Sequence, residues 1–272
     1  MTGRPVTRES AARRIKAILL RHIYVLRTSW PRLLELAYWP TVQMVLWGFI
    51  TTFFLSHSSW VAQAAGVLIS AVLLWDVLFR ANLGVSLTFM EEMWSRNLGQ
   101  MFVSPLKPVE LVGALMLMST IRTLISVTPA ALLALPLYDV WVFALGPPLI
   151  AFFANILVFG WCVGLAVSGL VLRFGLGAES LAWVAVFAVA PLSGIYYPIA
   201  TLPEWLQPLS WALPTAHVFE GMRAVLFDHQ FRWDLLFRAV GLNLLYLALA
   251  VVFFLRTFHV ARVRGLLLQQ GE

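Results

Sequence analysis

Six apolar runs, each eighteen residues or longer, divide this sequence: Leu33–Leu55, Val61–Thr88, Leu111–Leu137, Trp141–Leu172, Ala178–Ile195 and Leu235–Leu255. A run of that length with few charges crosses bilayer hydrocarbon as a helix, which rises about 1.5 Å per residue and satisfies its own backbone where no water can. The 272 residues are 61% hydrophobic and 12% charged. Soluble domains carry about 25% charge. The reading is therefore an all-α membrane protein with six transmembrane helices, one membrane domain over residues 1–272. Too little chain remains for a separate soluble domain.

Charge sets the topology. The formal net charge of +6 could point to nucleic acid. The basic residues instead cluster beside the ends of apolar runs, which is an orientation signal. With six spans and the N-terminus in the cytoplasm, fourteen Lys and Arg fall in internal segments, and only Arg223 and Arg232 fall outside. A seventh span through Tyr196–Asp234 would move Arg256, Arg262 and Arg264 outside, so it is rejected. That segment carries Pro198, Pro203, Pro208 and Pro214 and reads as a broken re-entrant segment, 196–234, dipping into the outer leaflet. Both termini are then cytoplasmic. No short apolar region follows the first basic residues, so no cleavable signal peptide is expected. The single Cys162 excludes an internal disulfide, and no Cys/His metal spacing occurs.

Residues 8–30 fit an amphipathic interfacial helix. Ile15, Ile18, Leu19, Ile23, Leu26 and Trp30 share one arc; Arg13, Lys16, Arg21 and Arg27 share the other, with Leu20 and Tyr24 as exceptions. Such a helix suits membrane lipid headgroups, as a basic anchor or as a contact for a partner.

Between the second and third runs lies a polar island, Phe89–Glu110, with Glu91, Glu92, Arg96, Lys107 and Glu110. Charges of both signs need water or a partner there. The island reads as a cytoplasmic segment, 89–108, with a short amphipathic helix over Phe89–Ser104 stopped by Pro105 and Pro108. Met93, Trp94, Leu98, Met101 and Phe102 form its apolar side. It is either a lever moved by a separate soluble motor or a solvated loop.

Two charges fall inside runs. Asp76 and Arg122 each lie about twelve residues from the cytoplasmic side, roughly 18 Å deep. Equal depth on consecutive antiparallel helices predicts an ion pair, with Arg80 one turn below Asp76. The alternative has Arg122 facing a pathway and attracting an anionic headgroup.

The sequence lacks a phosphate-binding loop of the Gly-x-x-x-x-Gly-Lys-Ser/Thr type, a His-Glu-x-x-His zinc motif and a Gly-x-Ser-x-Gly nucleophile elbow. His229 and Asp234 have the spacing of an acyltransferase dyad, but Phe231, Arg232 and Trp233 between them look like an interfacial anchor. His217 and Glu220 could share a helix face, without a third metal ligand. His22 and His57 read as surface residues. Tyr196, Tyr197, Trp205 and Trp211 fit an aromatic belt. Gly160-x-x-x-Gly164 allows close helix approach.

The pattern Gly194-Ile-Tyr-Tyr-Pro198, then Leu202-Pro203-Glu-Trp205-Leu206, Pro214 and Glu220-Gly-Met-Arg223 resembles the signature near the end of ABC exporter type-2 permeases. The island resembles their first cytoplasmic loop in its acidic residues, Arg96, Gly99, Ser104-Pro105-Leu106 and Glu110. The resemblance implies the transmembrane permease subunit of an ATP-binding cassette exporter in the cytoplasmic (inner) membrane. It implies two paired permease chains, each docking a soluble ATPase subunit that binds ATP and Mg, with no cofactor in this chain. Glu91, Glu92, Arg96 and Gly99, with Phe102 on the same helix, would dock the ATPase. Tyr197, Pro203, Trp205, Glu220 and Arg223 would shape the external gate. The family exports drugs, lipids and lipid-linked glycans, and an oily pathway with few charges suits an amphiphile. The rivals are a membrane acyltransferase using His229 and Asp234, and a passive channel or scaffold.

Overall fold

The computed structural model describes residues 11–57, 61–95, 97–99, 106–138, 143 and 146–264; side chains 54–57, 61–67 and 176 are not among those described. Arg96 and Phe102, and the proposed helix beyond Gly99, lie outside these residues.

The chain is helical from the start. α1 (Ala11–Thr28) and α2 (Trp30–His57) are separated by Ser29 alone. Pro31 occupies the first turn of α2, where a missing N–H breaks no helical bond. α3 (Val61–Trp94), α4 (Pro108–Tyr138) and α5 (Pro147–Phe174) follow, the last two opening on proline for the same reason. α6 (Leu181–Val189) runs into a 3₁₀ turn, Ala190–Leu192. A second turn (Ile199–Thr201), α7 (Gln207–Trp211) and α8 (Pro214–Asp228) come next. α9 (Trp233–Val263) closes the described chain.

Among the described residues five helices, α2, α3, α4, α5 and α9, are long and apolar enough to cross a membrane. The fifth run departs from expectation. It gives a helix only over Leu181–Leu192, about 18 Å long, against about 30 Å of hydrocarbon. Gly175 (φ 80°) and Gly194 (φ 65°) flank it in left-handed backbone, and Pro191 withholds an N–H near its end.

The short helix nevertheless carries the chain back along the bundle. α5 and α9 run parallel. Asn243 donates to the carbonyl of Asn155 at 3.0 Å, and Phe253 and Thr257 lie over Gly169. The chain must therefore return between them. It does so beside α3: the side-chain amide of Asn82 donates to Ala182 O at 2.7 Å, and further on Tyr196 stacks on Trp47 of α2.

α3 is the centre. Of its spanning window 83% is buried, against 17% for α2 and 22% for α9. Glycines permit this. A Cβ at Gly160 or Gly164 of α5 would overlap Ala81 or Val85 of α3, so the spaced glycine pair is the α3–α5 contact. On the other flank Gly84 admits Ser119 of α4, whose hydroxyl donates to Ala81 O at 2.7 Å. Phe89 meets Phe254 of α9 edge-on at 5.5 Å.

α3 also runs further than expected. Phe89–Trp94 is its last stretch, not the start of a separate helix. No breaker interrupts Thr88–Met93, and Glu91 and Glu92 find partners there. The backbone closes at Glu92, whose carbonyl accepts from Asn97 N–H at 3.1 Å and from the Ser95 hydroxyl at 3.3 Å. Leu98, Leu106, Lys107 and Leu111 share a cleft with Phe258 and Arg262 of α9, and Arg14 reaches Glu110. So α1, the link after α3 and the end of α9 lie at one end of the bundle.

Candidate functional site

At that end three helices converge on the last turn of α3. Glu92 is 1% exposed. A carboxylate so placed needs cations, because burial penalises its charge. Arg21 of α1 donates through Nη1 to its Oε2 at 2.8 Å. His22 Nε2 stands 3.1 Å from its Oε1, close but not aligned as a hydrogen bond. Glu91 gathers three partners from three helices: Arg122 Nη2 of α4 at 2.8 Å, Arg32 Nη1 of α2 at 3.7 Å and His22 Nδ1 of α1 at 3.9 Å. A second tie lies at the start of α4. Glu110 accepts from Arg14 Nε at 2.8 Å and from the backbone N–H of Lys107 at 3.1 Å, reaching back to the residue before the helix as in a capping box. Gly99, also expected to dock a partner, is half-buried and helical just beyond.

The expected Asp76–Arg122 pair does not form. Arg122 takes Glu91, and Asp76 has Arg80 of its own helix at 3.7 Å. Helical side chains lean toward their own N-terminus. α3 and α4 are antiparallel, so Arg122 leans toward the island and Asp76 away from it. Glu91, further along α3, leans up to meet Arg122. Equal depth of Cα atoms was the wrong criterion.

His22 is a further correction: it is 4% exposed, set between Glu91 and Glu92, not on the surface. The sequence pattern does not mark Arg14 and Arg32 as site residues. Their signal was available in part, since both sit beside positions that helical spacing turns inward.

At the opposite end, a clasp holds the broken segment. Arg223 of α8 donates through Nη2 to the carbonyls of Gly194 and, at 2.7 Å, Tyr197. Glu220, one turn before, lies 3.5 Å from Arg223 Nη1 and accepts from Ile199 N–H at 2.8 Å. The Tyr197 hydroxyl donates to Pro191 O at 2.6 Å. Thus Tyr197, Glu220 and Arg223 come together. Pro203 and Trp205 do not join them; both are exposed, Trp205 to 78%. Burial holds the His217 imidazole below its ordinary pKa; its Nε2 donates to Trp211 O at 2.9 Å. Asp234 is held by Arg232 through both oxygens, at 2.8 and 2.7 Å, leaving His229 to close α8 in a left-handed conformation, φ 52°. Among the described residues no three His, Cys, Asp or Glu gather as metal ligands.

A family model described as ABC-2 type transporter matches residues 15–227. The chain belongs to the ABC-2 type transporter family. No curated protein matches it. The ABC-2 match runs from within α1 to within α8 and so includes both the ion cluster and the clasp. As an ABC-2 permease, the chain is a multi-pass membrane component of an ABC transporter, a class that works with an ATP-binding cassette ATPase.

Proposed function

We propose that this chain is the permease half of an exporter moving an amphiphile across the cytoplasmic membrane. ATP and Mg bind a separate ATPase subunit, and two permease chains pair. In this reading α6 and the residues after it complete a sixth crossing, and both termini face the ATPase. The 196–234 segment is re-entrant and closes the external gate.

One observation carries the reading: α1, α2 and α4 are all tied by charge to the last turn of α3, beside the link to α4. A push on that turn moves three helices together. Partnered charges keep the turn rigid, and a loop merely bathed in water would not need them. The acyltransferase reading requires Asp234 to orient His229, whereas Asp234 is engaged by Arg232.

The test is co-expression with a candidate ATP-binding cassette ATPase from the same genome. The ATPase should co-purify, and Glu91→Gln with Glu92→Gln should release it or silence its stimulation. A permease that transports unaided, or a 95–108 link labelled from outside the cell, overturns the reading.

A further inference from the structure

The outer clasp is joined to α2 by an aromatic stack. The rings of Trp47 and Tyr196 lie 4.8 Å apart and 18° from parallel. The α2 backbone on either side of Trp47 is held by Tyr138. The Tyr138 hydroxyl, at the end of α4, donates to Val45 O at 2.7 Å, and the Tyr138 ring occupies the space a side chain at Gly48 would fill. Tyr196 is the next residue before Tyr197, whose carbonyl Arg223 holds. Val225 and Leu226 of α8 pack on the cluster of Met44, Ile69, Leu73 and Ala130 that joins α2, α3 and α4.

α2 and α4 therefore touch both ends of the molecule. Arg32 and Arg122 meet Glu91 at one end; at the other, Trp47 of α2 stacks on Tyr196 and Tyr138 of α4 bonds the neighbouring Val45 O. Helices transmit displacement along their axes as stiff rods, while a stack of one part-buried and one exposed ring is a small contact, easily made and broken. Tyr196 keeps 43% of its surface exposed, so it has room to slide off.

We propose that Trp47 is the positioning residue of the external gate: stacked on Tyr196 it holds the clasp shut, and movement of α2 driven from the Glu91 cluster unstacks it. This rests on the exporter reading above. Trp47 acts through Tyr196 and the Arg223 clasp, with no need to touch cargo.

The test uses the full permease–ATPase complex in proteoliposomes, with Cys162→Ala as background. Leu46→Cys on α2 and Ala200→Cys beyond Tyr196, both exposed and both leaving the two rings in place, are treated with a bifunctional thiol reagent. Cross-linking should be efficient without nucleotide and fall roughly fivefold or more when ATP and vanadate trap the closed ATPase. In parallel, Trp47→Leu should raise ATP hydrolysis in the absence of cargo several-fold, and Trp47→Phe should restore the wild-type rate. A merely structural stack would not change with nucleotide. Equal cross-linking in both states, with an ATPase that binds and hydrolyses, overturns the gate and leaves the exporter reading standing. An ATPase that never co-purifies removes both.

Discussion

Arg122 Nη2 donates to Glu91 Oε2 at 2.8 Å, joining α4 to the end of α3 across thirty-one residues. Arg122 is 6% exposed, so the bond is shielded from solvent and salt. Arg122→Gln should lower stability by about 2–3 kcal/mol, less than for an isolated buried pair because Arg32 and His22 still face Glu91. Thermal unfolding in detergent reads this. The exchange Glu91→Arg with Arg122→Glu should recover part of the loss, whereas Asp76→Arg with Arg122→Asp should recover none. Recovery by the second exchange would mean that Arg122 pairs with Asp76 after all.

The α3–α5 contact predicts a contrast between glycines. Gly160→Ala brings a methyl onto Ala81, with the Leu78 carbonyl also at 3.0 Å, and should cost about 1–3 kcal/mol. Gly241→Ala on α9 meets nothing within 4 Å. Alanine there should stabilise by about 0.5–1 kcal/mol through helix propensity alone. Midpoints measured in one detergent, with opposite signs for the two changes, would bear this out.

Hydrophobic run length was enough to place the long helices, because burial in lipid leaves the backbone few alternatives. It does not foresee the short helix within Ala178–Ile195, a largely apolar run that opens on Glu179 and Ser180 and whose helix Pro191 and Gly194 end early. The motif Gly160-x-x-x-Gly164 was visible; that it faces Ala81 and Val85 was not, since spacing names one surface and never its partner. Arg122 shows the same gap more sharply. Its depth could be read along the chain, but its partner depended on the direction in which side chains lean. His22 reads as a surface residue on a basic helix because nothing in the local spacing shows that Glu91 and Glu92, about seventy residues away, fold onto it.

Arg223 bridges two carbonyls with one planar group, and lysine cannot reproduce that geometry. Arg223→Lys keeps the charge beside Glu220 yet should loosen Gly194–Ile199. The expected result is transport reduced at least about tenfold, with ATPase co-purification unchanged, because the clasp lies at the opposite end from the ion cluster. Limited proteolysis at the 196–206 segment should accelerate in parallel. Unchanged transport and unchanged cleavage would show that the clasp is incidental to transport.

His217 gives a prediction in pH. Burial is the main cause lowering its pKa, opposed by the bond to Trp211 and by Asp234, and reinforced by Arg238. In the unfolded chain a histidine takes up its proton near pH 6.5. The folded protein resists protonation until lower pH, so across that window the unfolded state binds more protons and stability falls as pH falls. Above about pH 7 both states are neutral and the contribution is flat. Replacing the ring by His217→Gln, which keeps a donor for Trp211 O, should remove part of the acid-side slope between pH 6.5 and 5. Midpoints of variant and wild type, measured at half-unit steps, should run parallel above pH 7 and converge below pH 6.5. Curves that stay parallel throughout would mean that His217 is as easily protonated folded as unfolded.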